Sequence, residues 1–177
     1  MIRFSNEYLT EVDIDYDFEY LNRYAAKLAG KYADMRASGG ILFNRVNQIE
    51  DPQALSIIHG ILEHLQLEIC GEPYLLLVST QGLRPHIDAR TDPSVDCKLN
   101  IPASDLSEAC VHYYASGDTP ASYGEPQFSY NYRRPTILQT NILHSAGAGA
   151  NERYNFRAEI RGDYEKVRKH VLEIFED

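Results

Sequence analysis

Leu83-Arg84-Pro85-His86-Ile87-Asp88-Ala89-Arg90, read together with Thr140-Asn141-Ile142-Leu143-His144, is the part of the sequence that decides the fold. On a strand, residues i and i+2 project to one face, so His86 and Asp88 share a face while Ile87 packs on the other. Both side chains are metal donors, and two donors leave a site incomplete. His144, at the end of a second apolar run, supplies the third member of a 2-His-1-carboxylate facial triad, which leaves positions on a bound metal open. Alone, His-x-Asp more often marks a surface strand whose His accepts a hydrogen bond. Its context favours the metal: an apolar run, Tyr74-Leu75-Leu76-Leu77-Val78, leads through Gly82 into the motif, and arginines follow His144.

After Gly71 the chain breaks into short segments separated by Gly, Pro, Asp and Ser, and strands are expected at 74–79, 84–89, 96–101, 109–115, 135–143 and 153–160. That spacing predicts an antiparallel barrel or jelly roll. Within it, Arg153 and Arg157 lie four residues apart and share one strand face with Asn155 between them. A guanidinium binds a carboxylate through two parallel hydrogen bonds, so either arginine suits an anion; the competing reading is a buried pair with a carboxylate such as Glu159. Asn100, between Leu99 and Ile101, faces either solvent or a polar cavity.

The combined pattern of His86, Asp88, a distal His144 and an arginine about ten residues on resembles the 2-oxoglutarate/Fe(II)-dependent dioxygenase superfamily. Lys98-Leu99-Asn100-Ile101-Pro102 and Pro135-Thr136-Ile137-Leu138-Gln139-Thr140 are similar to the strands flanking the iron site in its aspartyl/asparaginyl-hydroxylase-like and prolyl-hydroxylase-like branches. The resemblance covers residues 73 to 161. It implies a double-stranded β-helix with helices along one sheet, Fe(II) held by His86, Asp88 and His144, and 2-oxoglutarate and O₂ as cosubstrates. The implied reaction is oxidative decarboxylation of 2-oxoglutarate to succinate and CO₂, coupled to hydroxylation of a substrate C–H bond. Arg153, nine residues after His144, is nearest the family's offset and is the expected cosubstrate anchor, with Arg157 and Asn100 as further contacts. Halogenation is disfavoured, because related halogenases replace the carboxylate that Asp88 retains. The alternative is a cupin-like metal enzyme or binding module that does not use 2-oxoglutarate, or a barrel that is not catalytic at all.

With 44% hydrophobic and 24% charged residues, the 177-residue chain is expected to form one globular domain. Its subdivision reads as a helical support region (1–70), the β-helix core (71–161) and a C-terminal helix (162–177). A formal net charge of -9 argues against nucleic acid, whose binding needs neutralised phosphates. Cys70, Cys97 and Cys110 are odd in number and lack CxxC spacing, so neither a disulfide framework nor a zinc site is expected. No run approaches the ~20 apolar residues of a membrane span, which makes the cytoplasm the expected location. A small molecule or peptide side chain is the expected substrate.

In the support region, Phe18, Leu21, Tyr24, Ala25, Leu28 and Tyr32 recur at helical spacing and predict a helix over 17–36, ended by Gly39-Gly40. Ile41-Leu42-Phe43 reads as a strand, and Asp51-Pro52 as an N-cap followed by Pro in the first turn of a helix running to about Cys70. His59 and His64, five residues apart, cannot form a helical metal pair. The acidic run Asp13, Asp15, Asp17 lacks the Gly and terminal Glu of a calcium loop. Loop 145–151 is rich in Gly and Ala but has no helix behind it, so it is no phosphate cradle; its small residues are expected to let the backbone turn close to the metal centre. The turn-rich segment 115–127 is either a substrate mouth or a plain surface loop.

Overall fold

The computed structural model describes residues 1–31, 43–46 (as backbone), 49–88, 92–104 and 110–176. In chain order it contains β1 (Ile2–Ser5), β2 (Leu9–Val12), α1 (Phe18–Lys31), β3 (Phe43–Val46), α2 (Pro52–His64), β4 (Tyr74–Val78), β5 (Leu83–His86) and β6 (Cys97–Pro102). There follow β7 (Val111–Tyr113), β8 (Phe128–Tyr130), β9 (Thr136–Gln139), β10 (His144–Ala146), β11 (Arg153–Ile160) and α3 (Tyr164–Glu176). A seven-stranded sheet runs β1-β2-β9-β6-β11-β4-β3 and a four-stranded sheet β5-β10-β7-β8, with antiparallel pairing throughout.

Alternation along the large sheet sorts its side chains between two environments. Leu75, Leu77, Leu99, Ile101, Phe156, Ala158 and Ile160 face outward and form one apolar cluster with Leu21, Ala25 and Leu28 of α1, Ala54, Ile58 and Ile61 of α2, and Val167 and Val171 of α3. Each such buried aliphatic side chain contributes about 1.5–3 kcal/mol of transfer free energy, so this face carries most of the apolar stabilisation. The opposite face looks onto the small sheet. Tyr74, Leu76 and Val78 meet Leu83 and Ala146 at one side, and Leu9 and Leu138 meet Val111 and Tyr113 at the other. Between those patches the inward positions of β6 and β11 are polar: Lys98, Asn100, Arg153, Asn155, Arg157 and Glu159, all buried. The result is the expected double-stranded β-helix, with the helices on one sheet.

Local signals account for the helix starts. The Asp51 carboxylate accepts from Ala54 N at 2.9 Å and caps α2, with Pro52 in its first turn. Asp17 and Asp163 accept from Tyr20 N (2.9 Å) and Lys166 N (3.0 Å) at the starts of α1 and α3. α2 stops at His64, short of Cys70, and the chain turns through Gln66 at φ 50°.

Other expectations need correction. Residues 1–70 also supply strands to the large sheet, β1, β2 and β3, where the sequence suggests one short strand within 1–15 and another at Ile41-Leu42-Phe43. The apolar run 135–143 is strand only as far as Gln139, since Thr140 turns its N–H to Asp96 O (2.9 Å) and its carbonyl to Asp88 N (3.1 Å), and pairing resumes at His144. β5 ends at His86, so Asp88 lies just past the strand, and Ile87 is 48% exposed where packing was expected. The proposed helix end at Gly39-Gly40, its extension to Tyr32 and Arg36, Ile41-Leu42, and Ala89-Arg90 of the opening motif fall outside the described residues. Among the described residues no helix is long and apolar enough to cross a membrane.

Candidate metal centre

β10 lies between β5 and β7, and His144 is in register with His86 on one side and Tyr113 on the other. Backbone pairing therefore sets the two imidazoles side by side, with ring centroids 4.5 Å apart. Close approach of β5 and β10 depends on Gly82, at φ 74°, where a Cβ would collide with the carbonyl oxygens of Ala146 and Gly147. Asp88 is brought in by its N–H to Thr140 O, which ties the chain beyond β5 to the segment leading into His144.

The donor atoms of His86, Asp88 and His144 all lie within 4.8 Å of one another. Asp88 Oδ1 is 3.2 Å from His86 Nε2 and 3.8 Å from His144 Nε2. Both imidazoles have their other nitrogen against a backbone carbonyl: His86 Nδ1 donates to Arg84 O (2.7 Å) and His144 Nδ1 to Ile142 O (2.9 Å). A carbonyl only accepts, so the proton sits on Nδ1 and the Nε2 lone pair of each ring is free for a cation, as at metal sites generally. Burial holds His144 neutral by pushing its pKa down to about 4, against the pull of Asp88. Burial opposes the charge on Asp88, but the cations Arg157 and Lys98 outweigh it and hold the carboxyl well below the usual carboxylate range. Two imidazoles that turn Nε2 inward and one ionised carboxylate, converging at these distances, fit a divalent transition metal.

Behind the cluster the inward row of β6 and β11 forms a polar floor of cross-strand neighbours. Asn100 is in register with Arg157, and Lys98 with Glu159. Arg157 donates through Nε to Asn100 Oδ1 at 2.7 Å, and its Nη1 lies 3.4 Å from Asp88 Oδ2. Asn100 in turn donates to the Tyr132 hydroxyl (3.0 Å), which donates to Asn155 Oδ1 (3.3 Å). Arg157 is thus the arginine nearer the metal ligands. Arg153, the expected anchor, lies at the far end, because β10 runs away from the cluster before β11 returns. A strand rises about 3.3 Å per residue, which puts the two arginine Cα atoms about 13 Å apart.

Arg153 differs from its neighbour in another respect. It is buried and donates through Nη2 to Gly147 O, its Nε has no hydrogen-bond partner, and among the described residues no carboxylate pairs with it. Its pKa is lowered because burial disfavours its charge. One pocket joins the two ends, lined by His86, His144, Asn100, Tyr132, Asn155, Arg157 and Arg153. Loop 145–151 reaches the Arg153 end, where Gly147 lets His112 come close: a Cβ there would meet His112 Nε2 at 2.8 Å. His112 bonds Ser129 through Nδ1 (2.7 Å) and is not in the cluster. Tyr113 and Tyr132 are buried, while Tyr123 is 47% exposed and packs edge-on against Tyr114. Lys98, 3.0 Å from Asp88 Oδ2, is the site residue that sequence reading missed; it stands two before Asn100, so the alternation applied to Asn100 places it inward as well.

No protein-family model matches the chain, and no curated protein resembles it in sequence. Solved structures do. A prolyl-4-hydroxylase from Pseudomonas putida matches with a TM-score of 0.52 at 9% identity, over 87% of this chain and 92% of the other. A non-heme monooxygenase, ThoJ, in its nickel complex matches with a TM-score of 0.50 at 15% identity, over 83% and 70% of the two chains. At such identities the likeness is one of fold. The chain shares the fold of a prolyl-4-hydroxylase and of a non-heme monooxygenase.

Proposed function

We propose that this protein is an Fe(II)- and 2-oxoglutarate-dependent dioxygenase of the cytoplasm that hydroxylates an amino acid, a peptide side chain or another small metabolite. The reading rests on Arg153: a buried guanidinium with an unused N–H and no carboxylate among the described residues, at the far end of a pocket that begins at His86 and His144. A buried cation without a counter-ion is costly, and an anionic ligand offsets that cost. A dicarboxylate that reaches from the metal to Arg153 supplies the anion and spans the pocket. The cupin-like alternative gives no role to an unpaired buried arginine in this position.

The chain's own part in the reaction is positioning. His86 Nε2, His144 Nε2 and Asp88 Oδ1 would hold the iron, which when bound supplies the oxidation of the cosubstrate and of the substrate C–H bond. Arg153 would take the distal carboxylate of 2-oxoglutarate in a charge-assisted pair, worth roughly 1.5–3 kcal/mol. Asn100 keeps the Arg157 guanidinium turned toward Asp88, and so acts on the cosubstrate through Arg157. The apolar wall of Leu76, Val78 and Leu83 keeps bulk water from the channel between the two ends. The test is succinate release from 2-oxoglutarate by protein loaded with Fe(II), screened over amino acids, peptides and small metabolites. Succinate formation that rises with one substrate class is the expected result. Tight metal binding with no 2-oxoglutarate binding would select the cupin-like alternative.

A further inference from the structure

The two oxygens of Asp88 face opposite ways. Oδ1 looks at the imidazoles, while Oδ2 is 3.0 Å from Lys98 Nζ and 3.4 Å from Arg157 Nη1. Lysine is almost never buried without a partner, and Lys98 is only 5% exposed. Its ammonium sits between Asp88 and, at 3.5 Å, Glu159. We propose that Lys98, with Arg157 beside it, is a positioning residue for Asp88: the two cations hold Oδ2, so that Asp88 offers a metal ion Oδ1 alone. The inference rests on the metal-binding part of the proposed function.

The physical reason for such a clamp lies in the number of open positions. A carboxylate that turned both oxygens to the metal would occupy a position that two histidines and a single oxygen leave free. A bidentate cosubstrate and O₂ together need the whole open face of a facial triad. Turning Asp88 would also take the charge on Oδ2 away from two buried cations, which is costly in a low-dielectric interior. Lys98 therefore trades metal affinity for vacancy: it drains charge from the carboxylate and sets a positive charge near the ion.

That trade gives the test an unusual sign. Removing a residue that merely supports the site weakens metal binding, whereas removing Lys98 strengthens it. Co²⁺ is titrated calorimetrically into chelator-stripped wild type, Lys98→Met, which keeps the apolar stem, and Lys98→Arg, which keeps the charge. Lys98→Met is expected to bind Co²⁺ about tenfold tighter or more, because charge effects at this range are large in a buried site. Its Co²⁺ form is expected to bind 2-oxoglutarate more weakly, and its metal-free form to melt at a lower temperature. Lys98→Arg should stay near wild type in all three. Lys98→Gln, which keeps a donor to Oδ2 without the charge, reads the same way should the Met variant not fold. Unchanged or weaker Co²⁺ binding by a folded Met or Gln variant overturns the clamp while leaving the metal site standing. Absence of Co²⁺ binding by wild type overturns both.

Discussion

Arg157 and Arg153 are two arginines on one face of one strand, and they meet opposite fates. At the metal end Arg157 has Asp88 and Asn100, and the attraction of Asp88 outweighs burial and raises its pKa. At the far end Arg153 has a backbone carbonyl and an unused Nε, and burial lowers its pKa. The fold can therefore satisfy a buried guanidinium when it needs one for structure. Arg153, at the other end of the same pocket, has no carboxylate beside it among the described residues.

The largest effect expected is at the metal end. His86→Ala, Asp88→Ala and His144→Ala should each cost at least ~100-fold in Fe²⁺ affinity, since even partners behind metal ligands cost 10–100-fold, and circular dichroism should show the barrel intact. Calorimetry giving wild-type affinity in all three variants would break the comparison at its root.

Acid comes next. His144 has a folded pKa of about 4, below the ~6.5 of an unfolded histidine. Between those values the unfolded chain binds more protons, so the metal-free protein should lose about 3 kcal/mol of stability as pH falls from 6.5 to 4. Asp88, whose folded pKa is depressed, adds a further loss only below the ordinary carboxylate range. Urea unfolding of wild type and His144→Gln at pH 7 and 4.5 checks this; an equal acid slope in both would exonerate His144.

At the far end, Arg153→Lys keeps the charge but loses the planar fork, so the 2-oxoglutarate Kd should rise about ten- to hundredfold with Fe²⁺ affinity unchanged. Arg157→Lys should disturb the cosubstrate less, since its guanidinium is already engaged. A larger loss at Arg157 would exchange the two roles. Smallest is Asn100→Ala, which leaves Arg157 Nε without its acceptor: roughly 1–3 kcal/mol of stability and a several-fold rise in the KM for 2-oxoglutarate. An unchanged KM would confine Asn100 to structure.

The strand that carries both arginines, 153–160, was legible to the residue, because eight residues of clean alternation between a polar floor and an apolar back leave no other reading. β8 and β10, three residues each, were not: such short strands are defined by their partners, and Phe128-Ser129-Tyr130 carries no pattern of its own. His86, Asp88 and His144 do converge, but strand alternation is not what places Asp88: β5 ends at His86, and the Asp88 N–H to Thr140 O brings the carboxylate in. The family's offset from His144 favoured Arg153, but β10 and β11 lie in different sheets, and it is Arg157 that reaches Asp88. Lys98 escaped notice for a plainer reason, since a lysine two residues from an asparagine looks like a solvated face until the partner carboxylate across the barrel is known.

The register of β10 against β5 has a consequence beyond geometry. His144 faces the pocket only while it is paired with His86, and a slip by one residue would turn it outward and put Ser145 in its place. The two strands belong to parts of the chain 58 residues apart, so nothing local keeps them aligned before the barrel closes. A cation seated between the imidazoles would thus work as a proof-reader of assembly: it would reward the one alignment in which both rings point inward and withhold its binding energy from every slipped form.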